Sequence, residues 1–141
     1  MSVVQYAKLC GKRILLTGDA GRAAMIEAAE YAPYVGLSLP GIDCIQIPHH
    51  GSRHNVSMEV FDKWLGERLD QQPSGGSFSA IVSALKEDGH HPRKSVVRGF
   101  IHRGAKVITT GGSDKRTGHN APDREGWVSV EPMPYPEDQE D

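Results

Sequence analysis

Ile42-Asp43-Cys44-Ile45-Gln46-Ile47-Pro48-His49-His50-Gly51-Ser52 begins as an apolar, β-branched run, the composition of a buried strand. Pro48 ends that strand, because it has no N–H to give to a ladder. Two adjacent histidines follow, then Gly51, which permits a tight turn, and Ser52. Imidazole is the commonest ligand for zinc-like metals. The carboxyl end of a strand is also where α/β proteins usually place their chemistry. Arg13-Ile14-Leu15-Leu16-Thr17-Gly18-Asp19-Ala20 repeats the logic: an apolar strand delivers a carboxylate at its end, beside a glycine. One aspartate and one His-His pair at two strand ends make up half of a metal site.

Outward from these stretches, strands and helices alternate. Residues 2–9 and 13–17 read as a β-hairpin across Cys10-Gly11-Lys12. A helix is predicted from Arg22 to about Tyr31, with Met25, Ala28 and Ala29 on one face and Pro33 ending it. After the central strand, Ser57 is a predicted N-cap for a helix carrying Val60, Phe61, Trp64 and Leu65 and ending near Leu69. Residues 70–77 form a surface loop, and 78–85 alternate as a strand. A polar loop, 86–92, precedes a helix over 93–103, capped by Gly104. Residues 105–110 and 127–130 complete the strands, and 111–126 form a long glycine-rich loop. The pattern predicts one layered α/β domain over 1–131, then an acidic, proline-rich tail over 132–141, expected to be mobile.

A length of 141 residues fits one domain with a core of its own. Hydrophobic residues at 38% and charged residues at 24% place the chain among globular proteins. Sixteen basic against eighteen acidic residues leave a net charge of −2. That balance gives no bulk attraction to nucleic acid or to an anionic membrane, so any phosphate binding must be local. No apolar run approaches the roughly 20 residues of a membrane span, and no signal peptide pattern opens the chain. Cys10 and Cys44 lack metal spacing and form no disulfide framework; they read as small buried apolar side chains in a reducing cytoplasm.

Each candidate residue has two readings. Asp19 either ligates or bridges cations through its two oxygens or caps the helix that starts at Arg22. His49 and His50, on extended backbone, point to opposite sides, so one can face a site while the other packs or orients. Gly51 and Ser52 offer N–H and hydroxyl groups to a substrate oxyanion. In His90-His91-Pro92, the histidines are either surface residues or contacts to a substrate phosphate or proton donors to a leaving group. His119, near Lys115 and Arg116, is a solvated residue or an anion contact; His54 and His102 have no chemical role. No His-x-His, H-E-x-x-H or CxxC pattern is present, although a catalytic zinc usually takes three protein ligands.

With Leu16-Thr17-Gly18-Asp19, Pro48-His49-His50-Gly51-Ser52, Gly89-His90-His91-Pro92 and the late strand 105–110, the chain resembles the metallo-β-lactamase-fold hydrolases. The nearest likeness is to the branch found in the soluble domain of the DNA-uptake protein ComEC. The resemblance covers about residues 2–131. It implies the carboxy-terminal half of a four-layer αβ/βα sandwich, with one mixed sheet and flanking helices. It implies Asp19 as a metal-bridging aspartate, His50, or less favourably His49, on a second metal, and His91 near the substrate as a catalytic group. It implies two zinc or manganese ions holding a water that attacks a phosphodiester or related ester. The family's His-x-His-x-Asp-His loop has no counterpart here. The expectation is therefore a half-domain, inactive alone, whose exposed sheet face meets a missing amino-terminal half or a second copy. The alternative is a non-catalytic remnant that serves as an interaction or assembly module.

Overall fold

The structure, a computed structural model, describes residues 2–138 other than 72, 74, 85–87, 113–114 and 117–121. Its centre is a five-stranded mixed sheet in the order β1-β2-β3-β4-β5. The strands are β1 (Gln5–Leu9), β2 (Lys12–Leu16), β3 (Cys44–Gln46), β4 (Phe78–Val82) and β5 (Ala105–Thr109). The hairpin β1-β2 is antiparallel, and β2 through β5 run parallel. Parallel neighbours need crossovers, which the helices α1 (Arg22–Tyr31), α2 (Met58–Leu65) and α3 (Lys94–Ile101) supply. The parallel strands therefore all deliver their carboxyl ends to one edge.

Cross-strand register puts Leu15, Ile45, Ala80 and Val107 in one row. All four are buried in the same cluster as Met25 of α1, Val60 and Phe61 of α2, and Val96 and Phe100 of α3. The helices thus pack on this face. Ile14, Leu16, Cys44 and Ile81 alternate with that row and are half-buried or exposed, with Leu16 44% exposed. Phe61 and Phe100 meet edge to face, 4.9 Å between centroids. The Trp64 indole N–H donates to the Met25 carbonyl (2.9 Å), tying α2 to α1.

The amino end of the sheet is closed by ion pairs. Arg13 donates from its backbone N–H (2.8 Å) and Nε (3.0 Å) to the Asp43 carboxylate. Arg103, its side chain 1% exposed, bonds Asp62 (2.6 Å) and the Gly66 and Gly99 carbonyls. It lies over the Phe61 ring at 4.7 Å. A buried charge survives only when its donors are used in this way.

Ser57 caps α2 as predicted, its Oγ accepting from the Val60 N–H (3.3 Å). Several boundaries differ. The central strand is shorter than 42–47, although the Ile47 N–H still reaches the Ile81 carbonyl (2.8 Å). α1 continues past Tyr31 as a 3-10 turn (Ala32–Val35) with proline near its start, a place that does not need its N–H. α2 ends at Leu65, four residues before Leu69, with Gly66 as its cap (φ 96°), and the Leu69 N–H bonds instead to the His102 carbonyl (2.7 Å). The last predicted strand is β7 (Val128–Ser129), which pairs in parallel with β6 (Lys115–Arg116), apart from the main sheet. Cys10 is exposed on the hairpin turn, not buried; Cys44 is half-buried, and burial pushes its thiol pKa up.

The expected mobile tail is packed as far as it is described. The Met133 N–H donates to the Val107 carbonyl at 2.7 Å, along the free edge of β5. Met133 and Tyr135 pack against the core, and Arg98 reaches the carbonyls of Pro136 and Asp138. The predicted strand end at Leu85, His119 and the last three residues of the tail lie outside the described residues.

Two predictions follow from this packing. A Cβ on Gly99 would lie 2.6 Å from the Phe61 ring. Alanine usually improves a helix interior over glycine; here Gly99→Ala is expected to lower stability by about 1–3 kcal/mol through overpacking. A urea midpoint that rises in the variant would contradict this. The two hydrogen bonds from Arg13, backbone first, hold the Asp43 carboxyl below its ordinary value of 3.8. A lowered folded pKa contributes stability above the ordinary value and loses it as pH falls through and below that value. The stability gap between wild type and Asp43→Asn should therefore shrink from pH 6 to pH 3. A gap constant over that range would remove Asp43 from the acid response.

Candidate functional site

Three loops leave the carboxyl edge, and backbone bonds stitch them together. Thr17, fully buried, donates its hydroxyl to the Gln46 carbonyl (2.8 Å) where β2 ends beside β3. The Gln46 side-chain oxygen accepts from the N–H groups of Thr17 (3.3 Å) and Gly18 (3.2 Å). The Gly18 carbonyl then accepts from the His49 N–H (3.0 Å). Asn55, buried, donates its amide to the carbonyls of Asp19 (3.2 Å) and Ala20 (3.1 Å). Asp19 is thereby set on a held loop with its side chain exposed. It does not cap α1: Gly21 is the cap residue, and no side chain bonds there.

The two histidines are not on extended backbone. Pro48 is followed by a tight 3-10 turn (His49–Gly51) in which His49 has φ 46° and His50 φ 55°. Non-glycine residues in this region carry strain and repay a search for function. The turn closes through Gly51 N–H to the Pro48 carbonyl (3.0 Å) and Ser52 N–H to the His49 carbonyl (2.9 Å). Both rings are exposed and meet edge to face, 5.9 Å between centroids. They do not take opposite sides of a strand, because the strand has already ended at Gln46.

His50 Nδ1 lies 2.5 Å from the Ser83 carbonyl at the end of β4. A carbonyl only accepts, so Nδ1 carries the proton and Nε2 is the free lone pair. A bond of this kind, from one ring nitrogen to a carbonyl, is what orients metal-binding imidazoles. His91 lies on the loop after β4. The Asp88 carboxylate accepts from the backbone N–H of His90 (2.8 Å) and His91 (3.1 Å) and faces His91 Nδ1 at 3.2 Å. The His90 N–H, followed by the His91 ring and N–H, holds the Asp88 carboxyl below its ordinary range, against a smaller opposing effect of burial. The His91–Pro92–Arg93 segment docks on the histidine turn: the Arg93 N–H donates to the Gly51 carbonyl (3.1 Å). Gly51 and Ser52 are buried; Ser52 Oγ accepts from the His54 N–H (3.3 Å).

Asp19, His49, His50, Gly51, Ser52 and His91 are thus carried on adjoining loops of one edge. Their donor types, carboxylate and imidazole, suit zinc or manganese. Among the described residues, however, no three histidines, cysteines, aspartates or glutamates group closely enough to hold a metal ion. The residues fit a share of a metal site, not a whole one. His102 sits elsewhere: its Nδ1–H donates to the Leu69 carbonyl (3.3 Å), and its Nε2 accepts from the Tyr135 hydroxyl (3.0 Å). Lys115 and Arg116 lie in β6. Asn55 and Asp88 were missed by the sequence reading; for Asp88 a signal existed, since Asp-Gly is a turn dipeptide whose carboxylate reaches following N–H groups.

No family model, curated protein or solved structure matches this chain. Among the described residues no helix is long and apolar enough to cross a membrane.

The edge depends on one close approach. Gly51 has φ 83°, and a Cβ there would meet Pro92 at 2.5 Å. Gly51→Ala is expected to cost at least about 2 kcal/mol, from left-handed strain and a clash with backbone. Amide exchange should show the loops at 49–52 and 88–93 opening together. Unchanged protection in both would mean that they are not mutually held.

Proposed function

We propose that this chain supplies one half of a metal-dependent hydrolase of the metallo-β-lactamase type, acting on phosphodiester or related ester bonds. The observation that carries the reading is the stitching of three strand-end loops, which brings Asp19, the His49–His50 turn and His91 to one edge. In this reading Asp19 and His50 Nε2 are donors to zinc or manganese, with His49 the second choice. Asp88 holds His91 Nδ1, which leaves Nε2 to hold or give a proton beside the substrate. Gly51 and Ser52 line the substrate's place. A bound metal would supply an acidified water and charge stabilisation. The remaining donors, of the His-x-His-x-Asp-His kind, would come from a partner half, and the single chain would be inactive.

A second reading has its own observation. Leu9, Ile14, Leu16, Cys44 and Ile81 share a sheet face to which none of α1–α3 contributes. A non-catalytic module that assembles through this face, with itself or with another chain, would use that surface.

Zinc titration separates the two. The isolated chain is expected to bind zinc weakly, and Asp19→Ala or His50→Ala should abolish the residual heat. Tight stoichiometric binding would show that the chain completes a site by itself. No response of the heat to either substitution, joined to a symmetric dimer that Leu16→Lys dissociates, would favour the assembly module.

A further inference from the structure

We propose that the cleft between residues 52–54 and 88–93 binds the phosphate group of an organic phosphate ester, with Arg53 and Arg93 as its charge partners. This goes beyond the hydrolase reading: it needs no metal, and it rests on side chains to which that reading gives no role. The cleft holds about 520 Å³, within the range of small-molecule sites, and larger than a bare phosphate needs. Among the described residues its walls carry Arg53, His54, His90, His91 and Arg93, against one carboxylate, Asp88. Two arginines less one aspartate leave one net positive charge before any histidine is protonated.

That carboxylate is already engaged. Asp88 accepts from two backbone N–H groups and faces the His91 ring, so its oxygens are turned to its own loop and it forms no ion pair with either arginine among the described residues. Among the described residues neither Arg53 nor Arg93 has an ion pair or a side-chain hydrogen bond. The other arginines near the sheet behave differently: Arg13 pairs with Asp43 and Arg103 with Asp62. Arg93 is half-buried as a residue. A planar fork of donors is the group best shaped for phosphate oxygens. The Arg93 N–H bond to the Gly51 carbonyl (3.1 Å) fixes the two walls to each other, and Arg22 Nη2 ties the Arg53 carbonyl to α1 (2.7 Å). Neither of these bonds uses the side chain of Arg53 or Arg93, so glutamine at either position leaves them in place.

The test is a titration of the ¹⁵N-labelled chain with phenyl phosphate, at constant ionic strength and with EDTA present. Saturable amide shifts are expected at residues 52–54 and 88–93. Arg53→Gln and Arg93→Gln should each weaken binding roughly tenfold or more, while Arg68→Gln, on an exposed residue away from the cleft, should leave it unchanged. Benzoate at the same concentration should give no saturation there. Shifts that map elsewhere, equal saturation by benzoate, or arginine variants that bind like wild type would overturn the proposal. Binding that appears only when zinc replaces EDTA would also overturn it and would leave the hydrolase reading standing. Failure of zinc to bind, with the phosphate response intact, would separate the two in the other direction.

Discussion

The carboxyl edge depends on a chain reversal that ordinary residues resist. Between Pro48 and Ser52 the backbone passes through the left-handed region at His49, His50 and Gly51. Glycine does this freely; each histidine costs on the order of 1–2 kcal/mol. The opposing terms are visible. Two hydrogen bonds close the turn on itself, one ties it to the exit of β2 and one to the entry of α3. At about 1 kcal/mol each, the four together offset the strain of two residues. The turn is therefore stable only in company, and its ring positions are set by loops far away in sequence.

That dependence separates the two ends of the sheet by role. At the amino end charges are consumed locally: Arg13 by Asp43, Arg103 by Asp62 and two carbonyls. Such pairs fix strand register and helix position. At the carboxyl end the charges are left over. Backbone groups hold the loops there; the side chains of Asp19, Arg53 and Arg93 make no hydrogen bond or ion pair among the described residues, and the His49 ring meets only the edge of His50. A fold can leave these side chains unpaired because none of them is needed for stability.

What could be read beforehand follows the range of the interaction. The Ser57 cap and the stripe Val60-Phe61-Trp64 are local, and so is α1 from Arg22 to Tyr31; the sequence pattern placed all of them. That the chain forms one layered α/β domain was legible from the alternation of strands and helices. The histidine turn was not, because its conformation is enforced by Gly18 and Arg93, contacts that adjacency in sequence cannot reveal. Asn55 looked like loop filler for the same reason: its amide serves carbonyls 35 and 36 residues earlier. The tail was misread because composition spoke for mobility, whereas Met133 and Tyr135 are two anchors set between prolines.

Metal binding and anion binding make unequal demands on such an edge. A divalent ion needs three or more donors placed within a few tenths of an ångström of fixed bond lengths. Two histidines on one strained turn and one aspartate on the next loop supply orientation, through the Ser83 carbonyl and Asn55, but among the described residues they do not converge closely enough to hold an ion. A phosphate group tolerates far looser geometry; it needs net positive charge, donors and a concave wall. The cleft at 52–54 and 88–93 has all three from one chain. The two proposals divide accordingly: phosphate recognition asks nothing beyond this chain, whereas metal-assisted hydrolysis asks for donors from a second one.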